Sequence, residues 1–161
     1  MHEELLEFLK KYLKNVNSVG VQVDYFGNFQ SIDLRKPAIC IEPKDDDPQP
    51  DSSRWNLVAF NIRLWVMAAY DIDYMKAFSN VQKILTAEDQ EKEVYGVHAI
   101  LNKMKYDPAY LALSGKMAGK AWRVHSRAVS MGRTRYSIQQ RASQKINTAT
   151  LDVTLYMSVE R

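Results

Sequence analysis

Residues 54–85 read RWNLVAFNIRLWVMAAYDIDYMKAFSNVQKIL, and the spacing of apolar positions changes once within them. In the first half the even positions Val58, Phe60, Ile62, Leu64 and Val66 form one continuous apolar face, while the odd positions set Asn61 and Arg63 beside Trp65. Side chains alternate faces along an extended chain, so a period of two predicts a long strand, central in its sheet. From Asp71 the apolar steps become 4, 3 and 4 through Tyr74, Phe78, Val81 and Leu85. That spacing predicts an amphipathic helix packed on the sheet, with Asp71 able to cap it.

The flanking segments fit the same plan. Leu5, Leu6, Leu9 and Leu13 recur along residues 3–14, with Glu3, Glu4 and Glu7 early and Lys10, Lys11 and Lys14 late, as suits a helix and its dipole. Val21, Val23 and Tyr25 alternate as a short strand, and Phe26-Gly27-Asn28 reads as a turn. Residues 37–42 carry an apolar run, Ala38-Ile39-Cys40-Ile41, which predicts a strand covered on both faces. Residues 93–105 allow another helix through Val94, Val97, Leu101 and Met104, although Gly96 counts against it. Trp122, Val124 and Ser126 alternate with basic residues as a further strand. At the end, Leu151, Val153, Leu155, Met157 and Val159 alternate strictly with polar residues, which predicts a half-buried strand.

Two segments resist this reading. Residues 44–53, KDDDPQPDSS, hold two prolines and four aspartates and are expected to be a solvated acidic loop. Residues 131–147 are basic and polar and read as a second long loop or a hairpin, with Gly132 as a turn. The expected fold is therefore α+β: a mostly antiparallel or mixed sheet of about 4–6 strands, helices on one face, and two long charged loops, all in a single domain spanning residues 1–161.

Composition bounds the function. The chain has 161 residues and a net charge of +3, with 46% hydrophobic residues, enough for one core without a disulfide or structural metal. Its one cysteine, Cys40, lies in an apolar run and reads as a small buried hydrophobe. Residues 1–14 alternate charge with leucine and do not resemble a signal peptide, and no run approaches a membrane span. Charge is unevenly placed: residues 1–107 carry a net −4, and residues 108–161 a net +7. Between Asp107 and Asp152 there are eight basic residues and no acidic one. Such asymmetry suits an anionic partner or a complementary protein surface.

Catalytic and metal signatures are lacking. No phosphate-binding glycine loop, HExxH or nucleophile elbow occurs, and His2, His98 and His125 have no second ligand at metal spacing. Asp45-Asp46-Asp47 lacks the glycine and terminal glutamate of a calcium loop. No enzyme activity, cofactor or metal is expected. The acidic loop and the basic loop are candidates for contact between protomers, because a head-to-tail contact of unlike surfaces closes a ring when the rotation allows it.

The layout resembles the tail terminator (tail completion) proteins of long-tailed bacteriophages. The likeness rests on chain size and element order: the helix at 1–14, PAICIEP at 37–43, KDDDPQPDSS at 44–53, WNLVAFNIRLWVMAAYD at 55–71 running into IDYMKAFSNVQKIL at 72–85, and TATLDVTLYMSVER at 148–161. The resemblance implies a virion structural protein, made in the host cytoplasm and residing at the head-proximal end of the tail. It implies a homohexameric ring that caps the tail tube, stops its polymerisation and presents a surface to the head-completion or connector protein. DNA would meet it only in passing through the lumen, and no membrane is involved. Charge and position make Asp45, Asp46, Asp47 and Asp51 the expected acidic contact surface, and Arg133, Arg135, Arg141 and Lys145 the basic one. The alternatives are another head–tail joining or tube subunit and, further off, a basic-patch nucleic-acid binder.

Overall fold

The computed structural model describes residues 1–16, 21–49 and 54–161. Among them are the helices α1 (His2–Leu13), α2 (Tyr74–Thr86), α3 (Val97–Lys105) and α4 (Pro108–Leu111). The strands are β1 (Gln22–Tyr25), β2 (Ala38–Gln49), β3 (Trp55–Met67), β4 (Glu88–Asp89), β5 (Val94–Tyr95), β6 (Ser114–Met117), β7 (Lys120–Arg141) and β8 (Gln144–Glu160). A six-stranded sheet runs in the order β1-β2-β3-β8-β7-β6. The β1–β2 pair is parallel and the other four pairs are antiparallel, so the sheet is mixed and the fold is α+β.

The strand–helix unit at 55–86 forms as its periodicity predicts. Phe60, Ile62, Leu64 and Val66 of β3 are buried on one face, and β8 opposes them with Leu155, Val153, Leu151 and Ala149. The helices cover this face: Leu5, Leu9 and Leu13 of α1, Val81 and Leu85 of α2, and Val97, Leu101 and Met104 of α3 join the same core. Each such side chain contributes about 1.5–3 kcal/mol relative to exposure. A smaller cluster lies on the opposite face, where Phe29 and Ile32 of a 3-10 segment (Phe26–Ser31) and its exit meet Ala38, Cys40, Met67 and Ile146. Beyond it, that face is mostly polar, with Asn61 and Arg63 of β3 beside Asp152 and Thr154 of β8.

Gly96 is structural rather than a helix breaker. It caps α3, and a Cβ there would lie 2.7–2.8 Å from Ala87 N and the carbonyl oxygens of Ile84 and Leu85. All three are backbone atoms that cannot step aside, so α3 can only start this close to the end of α2 with glycine. The helix begins at Val97 because Val94 and Tyr95 are already extended against Asp89 and Glu88.

Several expectations need correction. The cap of α2 is Asp73, whose carboxylate accepts from Lys76 N at 3.1 Å; Asp71 instead accepts from Asp73 N at 2.9 Å, two residues too early to cap. Tyr74, assigned to the buried face, is 56% exposed, and Ala77 takes its place in the core.

The acidic segment is not a loop as far as it is described: β2 continues to Gln49, pairing Asp45, Asp46 and Asp47 with Asn61, Phe60 and Ala59. Pro48 is tolerated in the strand because β1 pairs only with Ala38–Ile41, so among the described residues the outer edge of β2 beyond them carries no ladder bond to lose. Residues 50–53 of that segment, Asp51 included, lie outside the described residues.

The basic segment is no loop either. It is the hairpin alternative, with the turn displaced from Gly132 to Ala142-Ser143, since Arg141 pairs with Gln144. Gly132 lies within the strand at a register shift, where a side-chain Cβ would stand 3.4–3.5 Å from the Cβ and carbonyl oxygen of Asp152, an ordinary contact. The two-residue turn holds Ala142 at φ +54°, a left-handed conformation normally given to glycine or asparagine. The last rungs, Ile138–Asn147 to Arg141–Gln144, extend past the end of β3 as a projecting arm, because β3 pairing stops at Met67–Thr148.

Candidate assembly surfaces

Pairing to β3 decides where the three described aspartates go. Asp45 lies on the polar face and accepts from Asn61 Nδ2 at 2.7 Å, while Asn61 Oδ1 accepts from Thr154 Oγ1 at 2.9 Å. Asp46 sits opposite Phe60 on the helix side and meets His2 Nε2 at 2.9 Å. The His2 ring stands edge-on to Phe60 with centroids 4.4 Å apart. Asp47 returns to the polar-face register opposite Ala59 and is exposed. The carboxylates thus alternate between faces and do not converge on one point, as successive strand residues must.

The four basic candidates also divide. Arg135, opposite Thr150, is exposed on the polar face, and Arg141 donates through Nη1 to the Ile32 carbonyl, tying the arm to the 3-10 segment. Lys145 lies on the helix side of the arm, beside Tyr70, Ile72 and Tyr74. Arg133 falls at the register shift between Met131 and Thr134 and is exposed. Neither charged set is therefore one flat surface. Each is a strand segment with charge on both faces.

The polar face between them is tiled by paired groups. Arg63 Nε meets Asp152 at 3.2 Å, Arg127 lies 4.9 Å from the Tyr156 ring centroid, and Arg123 lies 4.2 Å from that of Trp55. Burial pushes the Glu42 carboxyl up, but hydrogen bonds from Lys44 Nζ and Trp65 Nε1, both 2.7 Å, outweigh it and hold the group below the ordinary glutamate value. At the far end of β8, Arg54 at 2.5 Å and the Ala121 N–H lower Glu160. Acid therefore concentrates on the β2 side of this face (Glu42, Asp45, Asp47) and base on the β7 side (Arg123, Arg127, Arg135).

An apolar shoulder beside the arm is a feature the sequence concealed. Ile72 is 90% exposed, and Tyr70, Tyr74, Met75, Tyr136 and Ile138 are all exposed. Phe78 and Tyr136 pack at 4.9 Å between ring centroids, and Asn147 Nδ2 donates to the Tyr74 carbonyl, fastening the start of α2 to the arm. Scattered exposed apolar residues are ordinary, but a contiguous group marks a contact surface. The only hint in the sequence was Ile72 between two aspartates.

A separate open groove of about 750 Å³ lies between α3 and the β4–β5 hairpin. His98 Nε2 is buried there without a hydrogen-bond partner among the described residues, and burial lowers its imidazole pKa. Lys103 Nζ sits 3.4 Å from the Tyr95 ring centroid.

The molecule is thus an α+β domain with a mixed sheet, charge of opposite sign on β2 and β7, and an apolar shoulder at one end. No protein-family model matches the chain, and no curated protein matches it.

Proposed function

We propose that this protein is a non-enzymatic structural subunit of a phage virion, a tail terminator that forms a ring, caps the tail tube and offers the head-side connector its seat. One observation carries the reading. The acidic segment Asp45–Asp47 and the basic arm Arg135–Lys145 lie on opposite sides of the same sheet and toward opposite ends of its strands. Surfaces of opposite sign on opposite sides favour head-to-tail repetition, which yields rings or filaments rather than isologous dimers. The mechanism is geometric: one ring face binds the last tube ring, and the other cannot template a further tube subunit.

The test is to add purified protein to isolated tail tubes and image them by electron microscopy, with mass photometry of the protein alone. Capped ends and a hexamer mass, free or on tubes, are expected. Tubes that lengthen would make it a tube subunit instead, and failure to bind either tube end would sink the proposal. The stacking of Arg123 and Arg127 on aromatic rings favours one other reading, nucleic-acid binding on the β7 side. That reading requires affinity that falls steeply with salt.

A further inference from the structure

We infer that the joint between copies is a strand pairing, in which the outer edge of β2 around Lys44–Asp47 of one copy docks antiparallel on the outer edge of β7 at Thr134–Arg141 of the next. This rests on the assembly reading above and specifies its contact.

The unpaired backbone is the first argument. Among the described residues, β1 covers β2 only at Ala38–Ile41, and β6 covers β7 only at Lys120–Arg123. The remaining halves, Pro43–Gln49 and Thr134–Arg141, each keep one edge of backbone donors and acceptors open. Folded proteins ordinarily guard such edges with proline, charge, bulges or short length. The register shifts in β7 fall between Val124 and Val129 and between Met131 and Thr134, before this stretch. Thr134–Arg141, TRYSIQQR, then pairs regularly with β8 and contains no proline or glycine.

Charge chooses among the possible pairings. Two β2 edges would set aspartates against aspartates, and Pro43 and Pro48 would interrupt the ladder. Two β7 edges would bring Arg135 and Arg141 near their own copies. Like charges on facing strands destabilise a sheet, and opposite charges stabilise it. Only β2 against β7 joins acid to base, and there the prolines bracket Lys44–Asp47 and fix the length of the pairing.

Direction and facing agree. β2 and β8 run one way, and β3 and β7 the other. A second copy in the same orientation therefore presents β2 antiparallel to β7, with helix faces on the same side. Asp45 and Asp47 then share the polar face with Arg135. The open halves lie at different heights along the strands, so each copy is offset along the strand direction, and such stagger is what closing a sheet requires. The shoulder of Ile72, Tyr74 and Ile138 adjoins the β7 edge and is covered in the same contact.

The experiment is a charge swap read by mass photometry and sedimentation, free and on tail tubes. Asp45→Lys with Asp47→Lys is expected to weaken association about tenfold or more, as is Arg135→Glu. All three positions are exposed or on the polar face, and circular dichroism melts serve as the fold control. The variant carrying all three changes is expected to regain association to within a few-fold of the parent. As an independent readout, a mixture of Asp47→Cys and Ser137→Cys proteins should form a disulfide-linked heterodimer under mild oxidation. If the parent forms rings yet the swaps change nothing and the cysteines do not cross-link, the ring reading stands and this joint is wrong. Charge-dependent association with swap rescue, but no capping of tubes, upholds the joint and removes the tail assignment. A parent that stays monomeric both free and on tubes overturns the joint.

Discussion

The two central strands and the open halves of the two outer ones belong to one sheet but are held by different forces. Leu64 and Val66 of β3 and Leu151 and Val153 of β8 are at most 1% exposed and face four helices. The outer half of β2, from Pro43 to Pro48, is exposed throughout, and Arg135–Ile138 of β7 is exposed as well. In the centre, apolar burial and backbone pairing act together. In the outer halves pairing acts with little burial, so these segments hold a strand conformation ready for whatever covers them. A sheet built this way is stable at its middle and adhesive at its margins.

The largest expected effect comes from breaking the middle. Leu64→Ala removes a fully buried side chain and should cost about 2–5 kcal/mol. Asp47→Ala, on the exposed half of β2, should change stability by less than about 0.5 kcal/mol. Urea melts of the two variants test the contrast. Comparable losses would mean that the outer half of β2 is a structural element rather than an adhesive margin.

A smaller effect, of opposite sign, should appear at the arm. Ala142 holds φ +54° in the turn between β7 and β8. An L-residue pays about 1 kcal/mol there, partly offset by the greater chain freedom of glycine when unfolded. Ala142→Gly should therefore stabilise the arm by about 0.5 kcal/mol. Hydrogen exchange of the amides from Ile138 to Asn147 should slow, with little change in β3. A slowing spread equally over β3 and β8 would show the arm and the centre to be one cooperative unit.

The same division explains what the sequence reveals. Strand alternation is visible where one face is buried, so β3 and β8 could be read directly, as could the leucine-spaced α1, and the Ala38–Ile41 run was legible as an apolar stretch buried on both faces. The outer half of β2 is wet on both faces and carries aspartate and proline, the residues of loops, and its strand form is imposed by β3 across the ladder. The β7–β8 turn was concealed because Ala142-Ser143 lacks the glycine, asparagine or aspartate that a two-residue hairpin turn usually takes, whereas Gly132 sits mid-strand. Of the candidate contacts, the signs of the charged segments were legible and their geometry was not, since alternation on a strand sends Asp45 and Asp46 to opposite faces. The apolar shoulder depends on the arm meeting the start of α2, where Asn147 and Tyr74 are 73 positions apart in sequence, and no local pattern encodes that meeting.

Within β2 alone the contrast can be read chemically. Cys40 belongs to the covered half, fully buried with Met67 and Ile146, and burial pushes its thiol up to about 12. Asp47, seven residues on, is exposed. At pH 8 a thiol reagent should leave native Cys40 unmodified for as long as the sheet stays closed, because labelling requires both an opening of the strand and a thiolate. Cysteine placed by Asp47→Cys should react within the time of mixing and labelling of a free thiol. The pH dependence of stability has a definite sign. An unfolded thiol loses its proton near 9 and the folded one near 12, so the unfolded chain binds fewer protons between these values. The contribution of Cys40 is thus complete below about pH 9 and declines as pH rises toward 12, a decline that Cys40→Ala should remove. Equal labelling at the two positions would mean that the covered half of β2 opens as freely as its exposed half, and the division between a closed centre and an open margin would fail where it is drawn most sharply.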